Sequence, residues 1–301
     1  MGEIFMGKRR KPGDTENMVV AKIDEFIDKI QNENRCLDKH IIFTWLKKIS
    51  EYQLADTTHT KSSVLYRARL IKSNDKQCNV YPFECFDAKN SMQPPKDKAI
   101  AMRANYERIP YLYCNTEPYG AMSEIRPYVG AHISLAEIRV KEDLKCLDLC
   151  YFTKDSCADD DALVEKYTSF LVHLSSMFEK PVEYGENEYD YFPTQRIAEY
   201  IKNLGYDGIV YNSAMYHSSN NVCVFNYDKC EAIGSRQIEV SNMMYDFFPV
   251  ESQHSSIDIR GTLEKKLGKI YKSICGSSQL PISIDDQLNE IYRKITGKNI
   301  S

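Results

Sequence analysis

The chain has 301 residues, of which 43% are hydrophobic and 27% are charged, and its formal net charge is −4 at pH 7. This composition excludes a collagen-like chain, a coiled-coil rod and a wholly disordered protein. A protein whose main task is to hold nucleic acid needs a basic surface, so the acidic balance argues against nucleic acid as the partner. The length predicts one medium domain with appendages, or two small domains.

The cysteines, the histidines and the hydropathy give further exclusions. No two of the ten cysteines have the C-x-x-C spacing, and none of the six histidines stands at zinc-ligand spacing from a cysteine pair, so no metal site is predicted. The basic amino-terminal segment is not followed by an apolar run, and no apolar run approaches the ~18 residues needed to span a bilayer. These features predict a cytoplasmic protein with reduced, mostly buried cysteines and no membrane partner.

The spacing of apolar residues divides the chain into three parts. Two segments with helical spacing predict a helical amino-terminal arm over 1–60, and the polar residues 55–63 predict a linker or turn. The next part, 61–234, mixes the two periodicities and predicts an α+β domain, whereas 235–301 predicts a helical tail. Within the middle part we predict strands at 64–71, 109–114, 132–140, 208–211 and 221–225, and helices at 116–126, 161–180 and 195–204.

The common nucleotide-binding and hydrolase motifs are missing. The sequence contains no G-x-G-x-x-G, G-x-x-x-x-G-K-[ST], H-E-x-x-H or G-x-S-x-G, which argues against a Rossmann or P-loop enzyme. Polar residues stand instead where predicted strands and helices meet loops, among them Arg67, Glu124 and Ser213. Taken singly, these residues fit an outward-facing strand arginine, a charge at a helix end and a turn-forming serine.

Five segments in a fixed order resemble the RES domain family over roughly residues 64–230. The family takes its name from an Arg, a Glu and a Ser, which correspond here to Arg67, Glu124 and Ser213. The chain departs from the compact members in its long Arg-to-Glu gap, in Ala104, where the pattern has Trp or Phe, and in its flanking arms. The segments are YR at 66–67, RAN at 103–105, IPYLY at 109–113, AMSEIRP at 121–127 and GYDGIVYNSA at 205–214, and NVCVFN at 221–226 fits the closing strand of the family.

The resemblance implies an α+β fold with an ADP-ribosyltransferase-like mixed β core and flanking helices, and an enzyme that consumes NAD as a substrate. Some members hydrolyse or phosphorolyse NAD, others transfer ADP-ribose to a protein, and many are toxins with an Xre-type antitoxin as partner. We therefore expect a toxin or phage-defence effector that cleaves the nicotinamide–ribose bond. An ADP-ribosyltransferase acting on a protein target is the alternative, and the flanking helices are candidates for dimerisation or for restraint of the enzyme.

The chemistry of this cleavage indicates which side chains it needs. Positive charge develops on the sugar while nicotinamide leaves as a neutral ring, so no general acid is required, unlike the case of a glycosidase. Glu124 is predicted to stabilise this charge and to orient the incoming nucleophile. Planar, permanently charged arginines suit the pyrophosphate, with Arg67 as the first candidate and Arg103 as the second. The acceptor stays open, since water, phosphate and a protein side chain fit the same site.

Four further residues complete the predicted site. Tyr113 and Tyr66 are candidates for an aromatic wall beside nicotinamide, although Tyr113 also fits a core position. Ser213 is predicted to donate a hydroxyl hydrogen bond to a ribose or phosphate oxygen. The resemblance adds Asn105 to the residues that bind NAD.

Two other classes of protein compete with this interpretation. Arg35 and His40 have the R-x4-H spacing of HEPN ribonucleases, although Cys36 stands where that family has a polar residue. A binding module with a decayed active site is the third class, and the intact Arg, Glu and Ser argue against it.

Overall fold

A computed structural model of the chain describes residues 13–72, 85–150, 161–180 and 188–243. The chain separates into two units, Met1–Met243 and Met244–Ser301, and all of the described residues belong to the first. Apart from 235–243, the predicted helical tail therefore lies outside the described residues. Within the described ranges, no helix combines the length and the apolar character that crossing a membrane requires.

The described residues form helices and strands whose order along the chain mixes the two types. The helices are α1 (Asp14–Asn32), α2 (Ile41–Glu51), α3 (Ala88–Ser91), α4 (Pro118–Glu124), α5 (Asp161–Glu179) and α6 (Phe192–Asn203). The strands are β1 (Asp56–His59), β2 (Val64–Leu70), β3 (Leu112–Asn115), β4 (His132–Val140), β5 (Leu144–Asp148), β6 (Gly208–Asn212), β7 (Asn220–Val224) and β8 (Cys230–Glu239).

All of these strands belong to one mixed sheet in the order β1-β5-β6-β7-β3-β2-β4-β8. Strands β5 and β6 are parallel, and the other neighbouring pairs are antiparallel. The predicted α+β class with a mixed β core and flanking helices is confirmed. Strands β2 and β3 pair at a single position, Tyr66 opposite Asn115, so the two strands diverge beyond it and leave space between them.

The amino-terminal helices are part of the main hydrophobic core. In α1 the residues Val19, Ile23, Phe26 and Ile30 recur at three- and four-residue intervals, and all four are buried. The ring of Phe26 meets that of Phe43 on α2 edge to face, with 5.5 Å between the centroids. The same core contains buried residues of α5, α6 and the sheet. The helices predicted as an arm are therefore packed against the α+β part.

Helix α4 lies over the other end of the sheet, where it joins a smaller apolar cluster. Ala121 on α4 packs there with Ala68 on β2 and with Ile133 and Leu135 on β4. Gly120 allows α4 to pack closely against the sheet, because a Cβ at its position would lie 2.6 Å from the side-chain amide carbon of Asn115. The packing fixes the direction of α4 and hence the position of Glu124, its last residue.

The structure contains three strands that the sequence pattern did not predict. Strand β1 occupies part of the predicted linker 55–63, because its residues pair with β5 although they are polar. Strand β5 begins only a few residues after β4 ends. Strand β8 lies at the edge of the sheet, and many of its positions are exposed, so its apolar residues alternate only weakly with polar ones. Strand β8 runs across the predicted boundary between 234 and 235. Of the seven described cysteines, four are buried.

Candidate active site

A cavity of about 440 Å³ lies beside the four strands β2, β3, β7 and β6. Tyr66 is paired opposite Asn115, Asn115 opposite Asn221, and Asn221 opposite Tyr211, and all four residues line the cavity. Residues directly opposite each other on paired strands share a face of the sheet. One row of side chains across four strands therefore forms a continuous wall of the site.

Glu124 presents an anchored carboxylate to this cavity. Its Oε1 accepts hydrogen bonds from the Ser213 hydroxyl at 2.7 Å and from the Asn221 side-chain amide at 2.8 Å. Its Oε2 has no hydrogen-bond partner among the described residues, and the side chain is exposed at the cavity. One oxygen is therefore held in place while the other is available to a ligand.

A chain of amides connects this carboxylate to the start of its own helix. The Asn115 side-chain amide donates a hydrogen bond to Asn221 Oδ1 at 2.9 Å. The Asn115 Oδ1 accepts a hydrogen bond from the Glu117 backbone N–H at 2.8 Å. Glu117 directly precedes α4 and Glu124 ends it, so the network holds both ends of the helix. Asn115 and Asn221 are not among the predicted site residues, and their only signal in the sequence is an amide side chain within a buried strand.

In the structure, Ser213 is hydrogen-bonded to Glu124 through its hydroxyl. It is buried just beyond β6, and its hydroxyl proton is donated to Glu124. The same oxygen accepts the Tyr216 backbone N–H at 3.1 Å. A hydroxyl has a single proton, and in this structure Glu124 accepts it. The bond from Ser213 to a ribose or phosphate oxygen stays a prediction.

Arg67 follows Tyr66 on β2 and lines the cavity where β2 and β3 diverge. Its Nη1 donates to the Ser91 backbone carbonyl at 3.1 Å, and no described residue forms an ion pair with it. Burial lowers the pKa of the guanidinium to about 10, because the charged form loses hydration there. The group is still charged at neutral pH and has no carboxylate of the described protein to neutralise it.

Arg103 lies at a different part of the cavity wall. Its Nη1 is 3.4 Å from the Met177 carbonyl on α5, and its guanidinium carbon is 5.3 Å from the ring centroid of Tyr191. Both contacts orient an arginine along a wall made by α5 and the segment before α6. The two predicted phosphate-binding arginines therefore line one cavity from separate elements.

Asn105 and Tyr113 also line the cavity, but their polar groups are used within the protein. The Asn105 amide donates to the carbonyls of Ile100 and Tyr106, both at 2.9 Å, and its Oδ1 accepts the Tyr113 hydroxyl at 2.7 Å. The Tyr113 oxygen accepts the Ala104 backbone N–H at 3.2 Å, and burial raises the pKa of this phenol well above its usual range. Asn105 thus shapes the loop, and Tyr113 contributes its ring.

The cavity carries an excess of positive charge although the chain as a whole is acidic. Among the described residues that line it, five are basic and two are acidic. Such a lining favours a polyanionic ligand such as a pyrophosphate. The basic residues are Arg67, Lys98, Arg103, Arg126 and Lys180, and the acidic residues are Glu124 and Glu179.

The residues of the ribonuclease alternative have other contacts. His40 precedes α2, and its Nδ1 accepts the Ile42 backbone N–H. The guanidinium of Arg35 lies over the Phe192 ring, 3.9 Å from the centroid. Neither residue lines the cavity, so the ribonuclease alternative requires a separate site at Arg35 and His40.

The fold and the site together define a mixed α+β protein with an anchored glutamate in a basic cavity. The RES domain family matches residues 80–247, more than half of the chain, and the chain belongs to this family. The matched range contains five of the predicted site residues, whereas Tyr66 and Arg67 precede it. The family predicted from the sequence is confirmed.

A solved structure also matches over much of the chain. It is a chain of the M. tuberculosis MbcT–MbcA toxin–antitoxin complex, with 12% identity and a TM-score of 0.37. The match covers 65% of the present chain and 93% of the other. No curated protein matches the chain.

Proposed function

We propose that this protein is an enzyme that consumes NAD by cleaving the bond between nicotinamide and ribose. The observation that supports this most is the state of Glu124, with one oxygen held by Ser213 and Asn221 and the other open to the cavity. A fixed carboxylate stabilises developing positive charge without having to reorganise during the reaction. Family membership supports the same chemistry, because the resemblance to RES proteins implies NAD as the substrate.

The residues have separate tasks in this proposal. Arg67 and Arg103 bind the pyrophosphate, because their charges line the same cavity from different elements. Tyr66 and Tyr113 place aromatic rings beside nicotinamide. Glu124 faces the sugar as the C1′–N bond breaks, and the bonding electron pair passes to the ring nitrogen, which neutralises the positive charge of nicotinamide.

The test is to incubate the full-length protein with NAD and to measure nicotinamide release. We expect Glu124→Gln to be at least about 100-fold slower, since neutralising the carboxylate removes the stabilisation of the sugar cation. Glu117→Gln is the matched control, because Glu117 is exposed at the start of the same helix and does not line the cavity. Equal release by wild type and Glu124→Gln would refute the proposal.

The acceptor and the biological setting are tested separately. Adding inorganic phosphate distinguishes phosphorolysis from hydrolysis, and labelled NAD distinguishes both from transfer to a protein. We propose that the enzyme acts as a toxin or phage-defence effector restrained by an antitoxin, as the family resemblance implies. Expression in bacteria is then expected to arrest growth and deplete NAD, and Glu124→Gln is expected to do neither.

A further inference from the structure

A second carboxylate, Glu179, lies at the same site. It is the last residue of α5, and it lines both the main cavity and a second, more open one of about 390 Å³. Lys180 and Ala214 also border both cavities, and Ser213 lines the second. The second cavity therefore approaches the anchored Glu124 from another side.

Glu179 is anchored in the same manner as Glu124. Its Oε1 accepts hydrogen bonds from the Ser175 hydroxyl at 2.5 Å and from the Asn212 side-chain amide at 2.7 Å. Its Oε2 has no hydrogen-bond partner among the described residues. Asn212 and Ser213 are adjacent at the end of β6, so this strand end holds one carboxylate with each of two successive side chains.

The position of Glu179 is unfavourable for the helix itself. The carboxyl end of a helix carries partial negative charge and favours basic residues, yet the last turn of α5 contains none. No described residue forms an ion pair with Glu179. A residue that opposes the local preference of its helix and is nevertheless held in place is typical of a functional position.

We propose that Glu179 is the general base of the reaction and that the nucleophile approaches through the second cavity. This inference rests on the proposed function. It assigns stabilisation of the sugar cation and activation of the nucleophile to two different carboxylates instead of one. Glu124 stabilises the sugar cation. Glu179 takes a proton from water as the water oxygen bonds to C1′, the C1′–N bond breaks, and its electron pair leaves with nicotinamide. The products are ADP-ribose, nicotinamide and one proton.

The experiment compares hydrolysis with attack by azide, an anion that needs no general base. In water, Glu179→Gln is expected to release nicotinamide about 100-fold more slowly than wild type, within the range typical of a lost general base. Added azide is expected to restore release in Glu179→Gln with formation of ADP-ribosyl azide, detected by mass spectrometry. Azide is not expected to restore Glu124→Gln, whose cation stabilisation is lost. Glu165→Gln is the matched control, on the exposed part of the same helix and outside both cavities.

The possible outcomes separate the inference from the function on which it rests. If wild type releases nicotinamide and Glu179→Gln does so equally well, the base assignment fails and the proposed function stands. A slow Glu179→Gln that azide does not rescue, with normal NAD affinity and melting temperature, also overturns the assignment. If wild type releases no nicotinamide, the proposed function fails and the inference fails with it.

Discussion

Replacing Ser213 with alanine tests whether the bond to Glu124 matters for the reaction. The substitution removes one of the two donors to Glu124 Oε1 and leaves the Asn221 amide at 2.8 Å. A hydrogen bond to a charged group contributes about 1.5–3 kcal/mol. Because about 1.4 kcal/mol corresponds to a factor of ten in rate, kcat/KM is expected to fall by about 10- to 100-fold. If Ser213 acts by holding the carboxylate, the loss is expected mainly in kcat and not in the affinity for NAD.

The control for this experiment lies in the same turn. Ser219 is also buried, and its hydroxyl donates to the Tyr216 carbonyl without reaching Glu124. Ser219→Ala and Ser213→Ala each remove one hydroxyl. Ser219→Ala is expected to destabilise the protein by about 1 kcal/mol, and Ser213→Ala, which loses a bond to a charged group, by about 1.5–3 kcal/mol. Steady-state assays of nicotinamide release and thermal melts of both variants provide the comparison. If the two variants have the same kcat, the positioning role of Ser213 is refuted.

Three further changes test other parts of the structure. Gly120→Ala is expected to destabilise the protein by about 1–3 kcal/mol in urea unfolding, through overpacking, whereas Gly234→Ala, with open space around it, is not. Arg67→Gln is expected to weaken NAD binding about 10- to 100-fold by calorimetry without lowering the melting temperature, because it removes a buried charge that has no ion pair. Burial lowers the pKa of His40, so protonation favours the unfolded chain and stability falls below about pH 6.5. His40→Asn keeps a side chain that can cap α2, and it is expected to show a smaller fall in melting temperature between about pH 7.5 and 5.5 than the wild type. An equal fall in both proteins would contradict the attribution of this pH dependence to His40.

The Arg, Glu and Ser for which the family is named differ in what their side chains contact. Glu124 and Arg67 both line the main cavity. Ser213 is buried and uses its hydroxyl on the glutamate and on the turn that follows β6. We therefore expect substitutions of Ser213 to act on the rate through the position of Glu124, and substitutions of Arg67 to act on affinity.

Local periodicity was sufficient for most of the helices and for the strongly apolar strands. Strand β4 was predicted with its observed bounds, and the helix predicted at 161–180 differs from α5 by one residue. The prediction for 55–63 was wrong in part, because β1 is a polar strand that exists only through its pairing with β5. The alternation of polar and apolar residues within a short segment does not show which distant strand the segment pairs with. Polar edge strands such as β1 are therefore not predicted from local sequence.

The sequence by itself determined the family, the two periodicities and the order of the Arg, Glu and Ser motifs, because each periodicity and motif is a short local pattern and their order can be counted directly along the chain. Six of the seven predicted site residues line one cavity. Only the tertiary structure decided that Asn221 shares the anchoring of Glu124 and that Glu179 lies at the same site. These residues stand on separate elements far apart in the chain. These residues come together because of the strand register and because of the positions at which α4 and α5 pack. Both depend on the packing of the whole sheet.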